Sequence, residues 1–324
     1  MKRSILGGLI ATLASAIFAA APALAQQELK MAYALSKDSH YGAGATAFVE
    51  SLANNNDHFI IEEFPNSALG GEREVIEGLQ LGTVDVAIVS TGAILNFVPQ
   101  AGVFDIPFLF RDLDHARTVL DSNIGQDMLV DFPKHGLVAL AWGEQGFRHL
   151  TNSKRPVETP EDISGLKIRI TENPIHLKAF RELGVQATPM AWPEVATALQ
   201  QGAIDGQENP LSVIVSTKMW QLQDYLSLTN HVYAPALILV SPLVYDQLSE
   251  TEKEQFQAAA IAAAQAMRDY VDAVEQDGLQ TLKEHGMQVN EVDYAAFEAA
   301  VEPVYQDYYG QFGQDLIESI RAVQ

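Results

Sequence analysis

A short alternation of apolar and charged residues marks the strand around which the chain is organised. The stretch 166–170 alternates apolar side chains with Lys167 and Arg169, the period-2 pattern of a β-strand with one buried face. The Asn-Pro pair at 173–174 is typical of a helix start. Arg169 is therefore expected at the carboxyl end of a strand, where open α/β sheets bind their ligands.

Two interpretations of Arg169 follow from this position. A guanidinium offers a rigid fork of N–H donors that matches a carboxylate, so Arg169 could anchor an anionic small molecule. Alternatively, Arg169 is one half of an ion pair at the edge of the sheet. The strand alone does not decide between these interpretations.

The first half of the chain alternates strand and helix patterns. A polar loop is expected over 36–44, with His40 and Tyr41 inside it, and an irregular apolar segment over 99–110. Such alternation indicates an α/β fold. The predicted strands are 29–33, 59–64, 84–89 and 137–142, and the predicted helices are 45–53, 72–81, 112–120 and 125–132.

A second α/β unit is expected after Gly146. Helices are predicted over 175–183 and 194–201, and two short strands within 225–240 that flank the Ala234-Pro235 pair. From 250 to about 285 the residues favour helix and include no proline. At ~1.5 Å per residue this helix would be roughly 50 Å long and would run along both units. A last helical region carries an aromatic stripe, best explained by core packing, at Tyr305, Tyr308, Tyr309 and Phe312.

One sequence pattern occurs twice. Residues 79–85 (LQLGTVD) match residues 199–205 (LQQGAID), with Gly82 and Gly202 in equivalent positions. Both read as a helix end, a glycine cap and a buried strand. The repeat predicts one supersecondary element that occurs once in each of two lobes. The alternative is a chance match, because a helix followed by a glycine cap and a strand is a common arrangement.

The N-terminus and the charge define where the chain can act. Residues 1–25 combine a basic start, an apolar run and an Ala-Leu-Ala end, as in a signal peptide cleaved near Ala25. Without Lys2 and Arg3, 18 basic and 42 acidic residues remain, a net charge of −24. This charge opposes binding of nucleic acid or anionic lipid, so any anion must be held by a few local arginines. The chain has no cysteine and therefore no disulfide or thiolate chemistry.

The sequence offers binding chemistry rather than catalytic chemistry. The eight histidines are scattered without metal-ligand spacing, and neither a Walker loop nor a G-x-S-x-G motif is present. No cofactor or metal is therefore expected. Arg148 adds a second guanidinium at a unit junction, Trp192 a flat apolar surface, and Asn209, before Pro210, an extended polar residue. The structural alternatives are an ion pair for Arg148, core packing for Trp192 and a helix cap for Asn209.

Six short motifs follow one another along the chain: Ser67-x-Leu69-Gly70, Leu79-Gln80-x-Gly82-x-Val84-Asp85, Gly146-Phe147-Arg148, Asp162-x-x-Gly165-Leu166-Lys167-Ile168-Arg169, Pro189-Met190-Ala191-Trp192-x-Glu194-Val195 and Asp205-Gly206-Gln207-Glu208-Asn209-Pro210. As a set they resemble the extracytoplasmic solute-binding proteins of tripartite ATP-independent periplasmic (TRAP) transporters, the DctP-type family. The resemblance covers essentially the whole chain after the signal peptide.

The resemblance implies a two-lobed periplasmic binding protein fold with hinge strands and a long helix spanning both lobes. Lobe 1 would comprise 26–146 plus 235–272, and lobe 2 would comprise 147–234 plus 273–324. The protein would be a periplasmic monomer that closes over a small organic acid. Its partners would be the small and large integral membrane subunits of the transporter, which an ion gradient drives.

The resemblance also implies site residues. Arg169 corresponds to the family's carboxylate-clamping arginine, Arg148 to the second arginine near the ligand, and Asn209 to a polar residue of the third wall. Trp192 falls where one branch has Phe and another Trp, which leaves the ligand class open. In lobe 1, His40, Glu72 and Ser90 fall near the family's ligand positions, although residue types vary there.

Two further functions remain open from the sequence. A secreted lyase or hydrolase acting on small carboxylates would need a general base in the cleft, and His40 is the one candidate for it. A sensor module that passes a ligand signal to a receptor is the other.

Overall fold

The computed structural model describes residues 26–56 and 58–324, so the predicted signal peptide lies outside the described residues. Nine strands form the core of the fold. They are β1 (Gln27–Tyr33), β2 (Phe59–Phe64), β3 (Val86–Ser90), β4 (Val138–Asn152), β5 (Lys167–Ile170), β6 (Gln186–Pro189), β7 (Gly206–Pro210), β8 (Tyr225–Val240) and β9 (Gln288–Glu291).

Helices cover both faces of these strands. They are α1 (His40–Asn55), α2 (Glu72–Leu81), α3 (Thr91–Ile94), α4 (Leu113–Asp121), α5 (Asn123–Val130), α6 (Pro160–Ile163), α7 (Pro174–Glu182), α8 (Trp192–Gln200), α9 (Leu211–Ser216), α10 (Pro242–Tyr245), α11 (Glu250–Glu284), α12 (Tyr294–Val301), α13 (Tyr305–Phe312) and α14 (Gln314–Ala322). No helix in the described part of the chain combines the length and apolar character needed to cross a bilayer.

The strands form one continuous sheet in the order β2-β1-β3-β8-β4-β7-β5-β6, with β9 beside β8. β1 pairs in parallel with β2 and β3, and β5 pairs in parallel with β6 and β7. The central pairs β3–β8, β8–β4 and β4–β7 are antiparallel. Two α/β units are thus joined through the long strands β4 and β8, which is the predicted two-lobed fold.

These two joining strands are longer than their sequence patterns predict. β4 was expected to end at 142 but continues to Asn152, and β8 is one strand of 16 residues instead of two. The predicted break at Ala234-Pro235 is wrong because a register shift in the β4–β8 ladder, between Glu144 and Gly146, coincides with Pro235. An irregularity of this kind accommodates a residue that lacks an N–H donor.

The centre of the sheet is apolar on both faces. Along β3, Val86 and Ile88 contribute to one core, while Ala87 and Val89 contribute to the core on the opposite face. Continuous apolar runs are typical of strands covered by helices on both sides. The aromatic residues of α13 belong to the second of these cores, as predicted, and Tyr305, Tyr308 and Phe312 are buried.

The repeated sequence pattern is a repeated structure. Gly82 and Gly202 both have left-handed φ angles, +74° and +67°; Gly82 follows α2 directly, and Gly202 follows α8 after one further residue. Asp85 Oδ2 then accepts a hydrogen bond from the Lys30 N–H at 2.7 Å, and Asp205 Oδ2 accepts one from the Lys167 N–H at 3.0 Å. Asp85 lies just before β3 and bonds to β1, and Asp205 lies just before β7 and bonds to β5. Each aspartate thus aligns the start of one strand with the first strand of its own unit.

The long helix is confirmed. α11 has 35 residues and contacts both α1 of the first unit and α9 of the second. Its N-terminus carries a capping box in which the side chains of Ser249 and Glu252 each accept from the other's backbone N–H.

One loop prediction is wrong. Residues 36–44 were expected to form a loop, but α1 begins at His40, because the Ser39 hydroxyl caps the helix by accepting from the Gly42 N–H.

Candidate ligand-binding site

A pocket of about 340 Å³ lies between the two units, at the ends of β3, β5 and β7. Six of the seven residues predicted from the sequence line it. They are Arg169 on β5, Arg148 on β4, Asn209 on β7, Ser90 at the end of β3, and Glu72 and Trp192, which begin α2 and α8. The topology explains this convergence, because β3 is parallel to β1 in the first unit, β5 is parallel to β7 in the second, and open α/β sheets bind ligands at the carboxyl ends of such strands.

Arg169 is held rigidly and is not part of an edge ion pair. Its Nε and Nη2 both donate to the carbonyl oxygen of Met190, at 2.9 and 2.7 Å, and the residue is 3% exposed. Among the described residues no carboxylate pairs with it, and Nη1 makes no hydrogen bond to them. Burial lowers the pKa of Arg169 to about 10, so the guanidinium stays charged at neutral pH.

Arg148 is neutralised by the protein itself. Its Nε donates to Glu208 Oε2 at 2.5 Å, and its Nη2 donates to Glu208 Oε1 at 2.9 Å and to Asn209 Oδ1 at 3.2 Å. His231 Nε2 lies 3.1 Å from the same carboxylate. Burial alone would raise the pKa of Glu208, but Arg148 and His231 hold that pKa below its usual range. The fork of Arg148 is thus occupied, and Nη1 is its one nitrogen without a partner among the described residues.

Asn209 serves two neighbours as well as the pocket. Its amide oxygen accepts from Arg148 and its amide nitrogen donates to Gln207 Oε1. Asn209 caps no helix, since the residue before α9 is Pro210. Asn209 therefore lines the pocket, but its side chain is held by hydrogen bonds within the protein.

Glu72 and Ser90, which are joined by a hydrogen bond, form a polar part of the pocket wall. Glu72 Oε1 accepts from the Ser90 backbone N–H at 2.8 Å and from the Tyr41 hydroxyl at 3.2 Å. Burial raises the pKa of Glu72, whereas these two donors and the pocket arginines favour its charged form. Oε2 of Glu72 has no partner among the described residues, so it is available as an acceptor for a hydroxyl group.

Trp192 is partly buried and contacts three apolar clusters at the mouth of the pocket. Its ring centroid lies 5.7 Å from the Arg169 guanidinium carbon. This distance is in the range of a cation–π contact, so Trp192 also restrains Arg169.

The structure places His40 outside this pocket. Its ring is fully buried beside Tyr41 and Tyr270, with centroid distances of 4.6 and 6.1 Å, and neither ring nitrogen has a hydrogen-bond partner among the described residues. Burial lowers the pKa of His40 to about 3. The neighbouring Tyr41 lines the pocket instead, because the early start of α1 turns His40 into the core.

Sequence reasoning missed six lining residues: Ala34, Leu35, Tyr41, Gln145, Thr171 and Val213. Thr171 carried a usable signal, since it follows Arg169 by two residues and so points to the same side of the chain. Glu208 belongs to one of the six motifs, but the sequence did not identify it as the partner of Arg148. Within residues 26–56 and 58–324 no group of His, Asp and Glu side chains is arranged to hold a metal ion.

Comparisons with known proteins place the chain in a family. Residues 31–311 match the model of the bacterial extracellular solute-binding proteins, family 7 (DctP). A TRAP periplasmic solute-binding protein from Bordetella bronchispeptica, with density assigned as pantoate, is 67% identical with a TM-score of 0.91 over 92% of this chain and 100% of that one. Another from Polaromonas sp. JS666, bound to D-erythronate, is 50% identical with a TM-score of 0.91 over 92% and 99%.

A solute-binding protein from Verminephrobacter eiseniae is 45% identical over 306 residues, which is 94% of this chain and 91% of the relative. The fold and pocket define a two-lobed binding protein. The chain belongs to the DctP family of TRAP-transporter solute-binding proteins, as its motifs predicted. These relatives are binding proteins of transporters and not enzymes, and this chain is likewise a binding protein and not an enzyme.

Proposed function

We propose that this protein captures a small hydroxylated monocarboxylic acid in the periplasm and delivers it to the membrane subunits of a TRAP transporter. The observation that carries the proposal is the charge of Arg169. Arg169 is buried and has no carboxylate partner among the described residues. Burying an unpaired charge costs free energy, and an anion bound from outside would offset this cost by pairing with the guanidinium.

The charge balance favours one carboxylate rather than two. Glu208 already neutralises Arg148, so, of the two arginines that line the pocket in the described part of the chain, Arg169 is the one whose charge is left for the ligand. Because Nε and Nη2 of Arg169 share one carbonyl oxygen, the outer edge of the guanidinium remains for a two-point contact. Arg148 would add a single hydrogen bond through Nη1.

The remaining polar groups suit hydroxyls. Glu72, Ser90, Gln145, Thr171 and Asn209 line the same pocket and can exchange hydrogen bonds with ligand hydroxyl groups. Pantoate and D-erythronate, named with the two similar structures, are short hydroxylated monocarboxylates. This agreement supports ligands of that class.

The pocket walls come from both proposed lobes. Tyr41, Glu72 and Ser90 belong to 26–146, whereas Arg169 and Trp192 belong to 147–234. A ligand that contacts both sets favours the closed arrangement, so the proposed boundaries predict closure on binding. Small-angle scattering should then give a smaller radius of gyration with saturating ligand, and an unchanged value would contradict the boundaries.

The proposal is tested by identifying the ligand. Mass spectrometry of small molecules released from denatured protein, followed by thermal shift with a panel of hydroxy, keto, sugar and aromatic acids, should single out short hydroxy acids. A ligand at 100 times its dissociation constant stabilises the folded protein by about 2.7 kcal/mol. A protein freed of ligand that responds to none of these acids would contradict the proposal.

A further inference from the structure

Thr171 connects the pocket to a buried polar cluster that the binding of a carboxylate does not use. Thr171 Oγ1 lies 3.1 Å from His176 Nδ1, and His176 Nε2 lies 3.6 Å from Asp105 Oδ1. His176 and Asp105 are each 1% exposed. Thr91 Oγ1 donates to the same Asp105 oxygen at 3.2 Å. A chain of polar atoms therefore leads from the pocket wall to a buried carboxylate.

The carboxylate determines which nitrogen of His176 carries the proton. Burial lowers the pKa of His176 to about 3, so the ring is neutral and holds one N–H. A lone pair on Nε2 would face the lone pairs of Asp105 Oδ1, whereas an N–H there would be attracted to it. Nε2 is otherwise without a partner among the described residues, as is Asp105 Oδ2. The proton accordingly belongs on Nε2.

This tautomer fixes the direction of the hydrogen bond at Thr171. With its proton on Nε2, His176 offers only a lone pair at Nδ1, so the Thr171 hydroxyl must donate to it. The oxygen lone pairs of Thr171 are then left for the pocket.

We propose that Thr171, oriented by His176 and Asp105, accepts a hydrogen bond from a ligand hydroxyl and thereby selects hydroxy acids over their deoxy and oxo counterparts. The inference rests on the proposed function, since it concerns the same pocket. Thr171 would contact the ligand, whereas His176 and Asp105 would act as positioning residues.

Affinities for D-erythronate and pantoate, each compared with its monodeoxy and 2-oxo analogues, test the inference by calorimetric titration. Burial raises the pKa of Asp105 to about 7, so the titrations are made at pH 8, where Asp105 is charged. The wild-type protein should prefer the hydroxy acid over one of its monodeoxy analogues. Thr171→Val should reduce that preference by about threefold to tenfold, the equivalent of one hydrogen bond.

The variants separate this role from a structural one. Thr171→Ser keeps the hydroxyl and should keep the preference, and Thr188→Val, an exposed change on β6, should alter nothing. Asp105→Asn can donate to His176 Nε2 and so reverse the hydrogen bond, shifting the preference from the hydroxy acid towards the 2-oxo acid. A purely structural role would weaken all acids equally in Thr171→Val and would overturn the inference.

The tautomer can be observed directly. Long-range ¹H–¹⁵N spectra of the acid-saturated protein should show His176 protonated at Nε2 in the wild type and at Nδ1 in Asp105→Asn. A wild-type proton on Nδ1 would overturn the inference while leaving the proposed function intact. Absence of binding by every acid would instead overturn the proposed function, and the inference with it.

Discussion

Arg148 and Glu208 form a buried ion pair in which Nε and Nη2 of the arginine donate to the two carboxylate oxygens, at 2.5 and 2.9 Å. Neither side chain is more than 2% exposed. The pair links β4 to β7, and under the proposed function it leaves Arg169 to meet the ligand's charge. Two arginines that look alike in the sequence thus have different partners in the structure.

Glu208→Gln should destabilise the protein by about 3–5 kcal/mol at pH 7, because it leaves the charge of Arg148 buried and unpaired. Urea unfolding followed by circular dichroism measures this change, with the exposed Glu182→Gln on α7 as control. Since folding lowers the pKa of Glu208, its stabilisation is present above the ordinary value of 4.5 and is lost as pH falls below it. A loss under 1 kcal/mol at pH 7 would contradict the pairing.

Asp105→Asn should change how stability depends on pH. Folding raises the pKa of Asp105 from 3.8 to about 7, so the folded protein holds a proton that the unfolded chain releases. In the wild type, the contribution of Asp105 to the free energy of unfolding is fully present below pH 3.8 and is lost as the pH rises to about 7. The loss is roughly 4 kcal/mol, at ~1.4 kcal/mol per pKa unit. The free energy of unfolding of the variant, measured by urea titration, should therefore rise relative to that of the wild type between pH 5 and pH 8. A constant difference over this interval would show that Asp105 does not titrate there.

Trp192→Leu should weaken ligand binding by about twofold to thirtyfold, because Arg169 loses a cation–π contact of about 0.5–2 kcal/mol. Trp192→Phe keeps an aromatic face and should lose less. Trp220→Leu is the matched control, since Trp220 stacks on His285 and does not line the pocket. Calorimetry with the identified acid gives the ranking, and equal affinity in Trp192→Leu and wild type would exclude Trp192 from the site.

The sequence predicts the site best where side chains follow from strand periodicity. Arg169 comes two residues before the chain leaves β5, and the repeated pattern around Gly82 and Gly202 identifies two equivalent units. Both signals are local, because side-chain alternation and glycine caps depend on neighbouring residues. The pocket wall formed by β3, β5 and β7 could therefore be predicted.

Features that depend on tertiary pairing could not be predicted from the sequence. His40 lies in what reads as a loop, and only the Ser39 cap starts the helix that buries it. The pairing of Arg148 with Glu208 spans 60 residues and requires β4 to continue beyond its apolar stretch. Local pattern carries no information on either, because the antiparallel register of β4 and β7 determines which side chains meet.

In the proposed function, Arg169 binds the carboxylate of the ligand through two hydrogen bonds. Arg169→Lys keeps the charge but removes the planar fork, and each charge-assisted hydrogen bond contributes about 1.5–3 kcal/mol. Arg169→Lys should therefore weaken binding at least tenfold, at ~1.4 kcal/mol per decade, and Arg169→Ala should weaken it further. Arg148→Lys should cost less affinity, because only Nη1 of Arg148 lacks a partner among the described residues and could reach the ligand.

Calorimetric titration of the identified acid into wild type, Arg169→Lys, Arg169→Ala and Arg148→Lys is the most direct test. The exposed Arg181→Lys on α7 is the control, and circular dichroism verifies the fold of each variant. The expected order of affinity, from strongest to weakest, is wild type and control, then Arg148→Lys, then Arg169→Lys, then Arg169→Ala. Wild-type affinity in a folded Arg169→Lys variant would contradict it.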